Sequence, residues 1–139
     1  RFMLSIDQAV DTVFAALKDA KRGEVLVPDA PSSKMTDVAK AMIGDRGNEL
    51  RVIGIRPGEK VHEVMISQEE CHHVRKCGNY YAILPMLPEL QGDVGNAPSA
   101  RTRELSSSDN VLSFEGTRAL LEQHKLLPDQ DSVPFDSKY

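Results

Sequence analysis

Residues 50–66 read LRVIGIRPGEKVHEVMI, two apolar runs separated by Arg56, Pro57, Gly58 and Glu59. Pro57 and Gly58 at the two central positions specify a type II turn, because the proline ring presets a negative φ and glycine tolerates the positive φ that follows. That bend commits the chain to a reversal and fixes Arg56 and Glu59 at its ends. Arginine offers a planar fork of donors that suits a phosphate or carboxylate, and glutamate accepts from sugar or ribose hydroxyls. An anionic, hydroxylated ligand fits both side chains. The alternative is that the two pair with each other or with solvent, the common fate of charges in turns.

Around the bend the elements alternate as in an α/β domain. Ile6, Ala9, Val10, Val13, Phe14 and Leu17 recur at helical spacing, Ser5 with Gln8 forms a capping box, and Lys21, Arg22 and Gly23 end the helix. EVLVP (24–28) reads as a strand, and Thr36 with Asp37 as the cap and first turn of a second helix carrying Val38, Ala39, Met42 and Ile43. LRVIGI (50–55) and VHEVMI (61–66) are the next expected strands. SQEEC reads as one helical turn, and HHVRKCGNYYAIL as two extended pieces forming a hairpin around Gly78 and Asn79. Residues 85–110 are rich in Pro, Gly and Ser and read as a long loop. A last helix is capped by Ser113, with Phe114, Thr117, Leu120 and Leu121 on one side. Residues 1–127 therefore form one domain, and 128–139 a frayed tail.

With 139 residues, 40% of them hydrophobic, the chain suffices for one folded domain, but with four Phe, three Tyr and no Trp its core must be aliphatic. A net charge of −4 without a basic stripe excludes a general nucleic-acid binder. Cys71 and Cys77 are too few for a disulfide framework, and no signal peptide or long apolar span is visible, so the expected setting is cytoplasmic and reducing. Cys71, His72, His73, Cys77 and His62 invite a zinc reading, but adjacent histidines on an extended chain point to opposite faces and the cysteine spacing matches no common knuckle. A plain strand is expected there, with no metal. Met35, Met42 and Met65 read as core filler.

Taken in order, RFMLSIDQAV, GEVLVPDAPSSKMTDVAKAM, VIGIRPGEKVHEVMI and SSSDNVLSFEGTRALLE resemble the C-terminal part of the polysaccharide-biosynthesis branch of extended short-chain dehydrogenases/reductases. That branch includes UDP-N-acetylglucosamine 4,6-dehydratases, some also 5-epimerases, and related UDP-sugar 4-epimerases. The resemblance covers nearly the whole chain and is weakest at 71–104 and after 125. Its most specific piece is GIRPGEK followed by His62 and Glu63.

The resemblance implies a small mixed α/β substrate-binding lobe that packs against a Rossmann half absent from this chain. It also implies that the family's NAD or NADP takes hydride from C4 of the sugar, with substrate contacts falling on Arg56, Glu59 and Arg1, the last from the arginine that opens the family's RF segment. No G-x-x-G-x-x-G turn and no Tyr-x-x-x-Lys pair occurs here; Tyr80 and Tyr81 lack a lysine at that offset. The chain alone is thus expected to hold no cofactor and no catalytic residue. Its expected partners are a UDP-sugar, the Rossmann half and further copies of the protein. The competing reading is a non-catalytic binding or oligomerisation module derived from the same family.

Overall fold

The computed structural model describes residues 1–91 and 98–128, so the expectation of a frayed tail lies almost wholly outside the described residues. Helix α1 spans Ile6–Asp19, and Ser5 and Gln8 close the capping box reciprocally: Gln8 N–H donates to Ser5 Oγ at 3.2 Å and Ser5 N–H to Gln8 Oε1 at 3.0 Å. Strand β1 (Val25–Pro28) follows, then helix α2 (Met35–Ile43). The cap of α2 is Lys34, with no side-chain hydrogen bond, so the expected cap at Thr36 is corrected: that residue already lies within the first turn.

Strand β2 is short, Val64–Ile66, and the expected start at residue 61 is three residues early. A 3-10 turn over Glu70–His73 is closed by a second reciprocal pair, Glu70 N–H to Ser67 Oγ and Ser67 N–H to Glu70 Oε2. That turn holds Cys71, His72 and His73, correcting the expectation of plain strand there; the extended chain begins only at Val74. Strands β3 (Val74–Cys77) and β4 (Tyr80–Ile83) form the expected hairpin around Gly78 and Asn79, with Gly78 at φ 56° as a tight primed turn requires. A short helix α3 (Pro88–Gln91) and strand β5 (Leu105–Ser106) lie within the stretch read as loop. Helix α4 (Phe114–Gln123) starts at the expected cap, Ser113 Oγ accepting from Gly116 N–H at 3.1 Å.

The strands make two antiparallel sheets, β1-β4-β3 and β2-β5, rather than parallel crossover units. Sequence alternation is therefore a poor guide here: helices and strands alternate along the chain, but hairpin and end-to-end returns join the strands. Val27, Ile66, Cys71, Val74, Ile83 and Leu105 form the core between the sheets, with Phe2, Met65 and Tyr81 packed against it. Met65 fills as expected, whereas Met35 and Met42 are about half exposed and do not. Helix α4 packs on α2 and buries Thr117 and Leu121.

The largest departure is residues 50–55, expected as a strand and found without ladder or bridge. Val52, Ile53 and Ile55 are all more than half exposed. A strand needs a neighbour to take its backbone hydrogen bonds, and no described strand lies alongside.

Candidate functional site

The bend forms as the sequence specifies. Glu59 N–H donates to the Arg56 carbonyl at 3.0 Å and Gly58 sits at φ 81°, the signature of a type II turn. Glu59 then turns back: its Oε2 accepts from the Arg56 backbone N–H at 3.1 Å and its Oε1 from Arg1 Nη2 at the same distance. These donors, the Arg56 amide before the Arg1 guanidinium, hold the Glu59 carboxyl below the usual carboxylate range.

Arg1 reaches the bend from the other end of the chain. Its Nη1 donates to the Lys60 carbonyl at 2.6 Å and to Glu63 Oε1 at 2.9 Å. Backbone pairing with Ser33 fixes its main chain, Ser33 N–H to the Arg1 carbonyl at 2.9 Å and Arg1 N to the Ser33 carbonyl at 2.8 Å. The buried Ser33 hydroxyl accepts from Thr117 Oγ1 at 2.9 Å, which ties this point to α4. On the opposite side Glu63 is pinned to Ser107 through both backbone atoms, Glu63 N–H to Ser107 Oγ and Ser107 N–H to the Glu63 carbonyl.

Between these anchors lies an open cleft of about 660 Å³, within the usual size of ligand clefts. Arg1, Lys34, Glu59 and Lys60 supply charge at its walls, while Met35, Ile55, Val61 and Val111 make the remainder apolar. Such a cleft can take a ligand with one anionic and one less polar end.

The structure thus joins two of the three residues singled out in the sequence, Arg1 and Glu59, and places both on the cleft. Arg56 stands apart: it is exposed, does not line the cleft, and among the described residues its guanidinium makes no hydrogen bond or ion pair. Lys34, Glu63, Ser33 and Ser107 were not singled out. Glu63 carried a signal, four positions after Glu59 in the same specific segment; the two serines carried none, because their partners are distant in sequence.

The cysteines are free, Cys71 buried with its thiol donating to the Gln68 carbonyl at 3.0 Å. Among the described residues no group of three His, Cys, Asp or Glu side chains converges as a metal site would, and no helix is long and apolar enough to cross a membrane. Nor do the residues present fit a dinucleotide. The described sheets are antiparallel, without the parallel strand, glycine-rich turn and helix N-terminus that cradle a pyrophosphate.

A family profile described as "Polysaccharide biosynthesis protein" matches residues 1–85. The chain is 38% identical over 130 residues to a UDP-N-acetylglucosamine 4,6-dehydratase (inverting) of Campylobacter jejuni, a match covering 88% of this chain and 38% of that protein. It is also 38% identical over 85 residues to a UDP-glucose 4-epimerase of Rickettsia bellii, covering 60% of this chain and 25% of that protein. Among solved structures, Pen from Bacillus thuringiensis matches with a TM-score of 0.75 at 27% identity, over 92% of this chain and 38% of that one. The chain spans well under half the length of the relatives it matches.

Proposed function

Because the chain belongs to the polysaccharide biosynthesis protein family, a branch of the extended short-chain dehydrogenases/reductases, we propose that it is the UDP-sugar-binding part of a nucleotide-sugar 4,6-dehydratase or 4-epimerase. The observation that carries this reading is the formed Arg56–Glu59 turn, whose Glu59 lines a cleft with walls that mix cations with apolar surface. Arg56 is the fork for the diphosphate, and Glu59 the acceptor for a ribose or sugar hydroxyl through the lone pairs its present partners leave open. Taking hydride from C4 and giving it back, either after loss of water across C5 and C6 or directly from the opposite face, would require NAD or NADP. Since the residues here do not fit that cofactor, those steps belong to other parts of a longer protein, and this chain's share is binding and orientation.

A second reading, a non-catalytic interaction module, draws on the exposed apolar stripe of α1, where Ile6, Val13, Phe14 and Leu17 lie largely bare. A UDP titration separates the two. Followed by NMR, UDP should move Arg56, Glu59 and their neighbours with millimolar affinity, since a lone charged contact barely offsets the entropy of association. Arg56→Ala should abolish that response. In the longer protein the same change should weaken UDP-sugar binding by about 2–4 kcal/mol, and Arg56→Lys should recover only part because an ammonium cannot reproduce the fork. Gly58→Ala should also weaken binding, by forcing a side chain into positive φ and displacing Glu59. Identical responses from the native chain and Arg56→Ala would leave the bend a structural turn.

A further inference from the structure

We propose that residues 51–55 are a strap that closes onto the outer edge of β1 as an added parallel strand, with α2 as the crossover between them. The closed sheet then reads (51–55)-β1-β4-β3. This goes beyond the UDP-sugar reading and needs no ligand.

Both halves of that pairing stand open in the structure. Asp29 N–H donates to the Asn79 carbonyl at 3.0 Å, and the β1-β4 register runs from Val25 opposite Ile83 to Pro28 opposite Tyr80. Hydrogen-bonded pairs alternate along an antiparallel ladder, so Val25, Val27 and Asp29 turn their backbone groups to β4 while Leu26 and Pro28 turn theirs outward. The outer edge therefore offers Leu26 N–H and the carbonyls of Leu26 and Pro28. Pro28 lacks its donor on the side without a neighbour, where a sheet tolerates proline. Among the described residues no hydrogen bond reaches these outward groups, and none reaches the backbone of residues 50–55.

The two halves fit in chemistry and in connection. Val52, Ile53 and Ile55 form a near-continuous apolar run, as strands covered on both faces of a parallel sheet do. Val27 is buried in the core and Val25 is mostly exposed, which selects the register: Ile53 beside Val27, and Arg51 beside Val25 at the wet end. In that register Leu26 N–H meets the Arg51 carbonyl, Ile53 N–H the Leu26 carbonyl and Ile55 N–H the Pro28 carbonyl, so every outward group gains a partner. Residues 29–50 contain α2 and exceed the crossover of about a dozen residues that parallel neighbours need. A right-handed crossover lays α2 over the added strand, and α2 has no fully buried residue and leaves Met35 and Met42 half exposed for that contact. The strap is also held at the correct end. Arg1 ties Glu59 and Lys60 to the backbone at Ser33, on the stretch that leaves β1 through Pro28, and Pro28 is the residue that Ile55 must meet.

The test is amide exchange and methyl NOE spectroscopy on the labelled 139-residue chain and its Ile53→Pro variant. Relative to their intrinsic rates, the amides of Leu26, Ile53 and Ile55 should exchange about tenfold more slowly than those of Val52 and Gly54, which point away from β1, and Val27 and Ile53 methyls should show an NOE. Ile53→Pro removes the central donor of the strap, so Leu26 should lose its tenfold protection while the β3-β4 hairpin, the control for folding, keeps its own. Fast exchange at Leu26 and Ile53 in the native chain, or Leu26 protection unchanged by Ile53→Pro, would overturn the proposal. So would protection that grows with protein concentration, since the strand on the β1 edge would then come from a second copy.

Discussion

At the scale of single residues, the pair Glu24–Arg75 is a two-pronged polar contact away from the cleft. Arg75 Nε and Nη2 donate to the two Glu24 oxygens at 3.0 and 2.6 Å, and Glu24 Oε2 also accepts from Lys21 N–H at 2.8 Å. The Glu24 side chain is only 2% exposed, against 31% for its partner. A carboxylate so enclosed must stay paired, and the Arg75 fork, its largest influence, holds its pKa below the ordinary range despite burial, which pushes the other way. The unfolded chain binds a proton at Glu24 more readily than the native one. The stabilisation is therefore complete above the ordinary glutamate pKa and is lost as pH falls through the depressed native value. Glu24→Gln should cost about 2 kcal/mol near neutral pH, because it leaves Arg75 half-enclosed with a weaker acceptor, and should flatten the acid limb of the stability curve. Urea unfolding followed across the acidic range checks both. An acid limb as steep as in the native chain would place the titration elsewhere.

Among the elements, what could be read in advance is what is closed within three or four residues. The capping box at Ser5 and Gln8, the cap at Ser113, the type II turn at Arg56–Glu59 and the hairpin at Gly78-Asn79 are each set by side chains next to the backbone groups they satisfy. The Ser67–Glu70 pair, at the head of the turn expected over SQEEC, has the same local logic. Opaque in sequence were features whose partners are remote: the clamp from Arg1 across to Glu63, the antiparallel order β1-β4-β3, and the fate of residues 50–55, whose strand-like composition finds no neighbour. Caps that look equal in sequence should also differ in effect. Helix α4 buries Thr117 and Leu121, whereas α1 has no fully buried residue, so α1 should open locally without the rest. Ser113→Ala should lower global stability by about 1 kcal/mol; Ser5→Ala should speed amide exchange within α1 and leave the unfolding midpoint nearly unchanged. Equal shifts in the midpoint would show α1 to be cooperative with the core.

For the whole molecule, the apolar surface left bare is the dominant fact. On α1, Val13 is 60%, Phe14 65% and Leu17 78% exposed, and the helix presents them at the spacing of a buried face. Across the bend Val52, Ile53 and Ile55 add a second patch, next to the cleft. Native monomers seldom leave contiguous apolar patches of several hundred Å² uncovered, and the periodicity of α1 is that of a helix selected for packing. The 139-residue chain by itself should therefore bind a hydrophobic dye and self-associate, more strongly in sulfate, which favours apolar burial. Phe14→Asp should reduce both responses while moving the melting temperature little, since a side chain already mostly in solvent has few native contacts to lose. Light scattering of the two chains at matched concentration, with dye fluorescence alongside, is the measurement. A strictly monomeric native chain that binds no dye would mean that the α1 stripe is tolerated as open surface, and the interaction reading would lose its support without touching the Arg56–Glu59 bend.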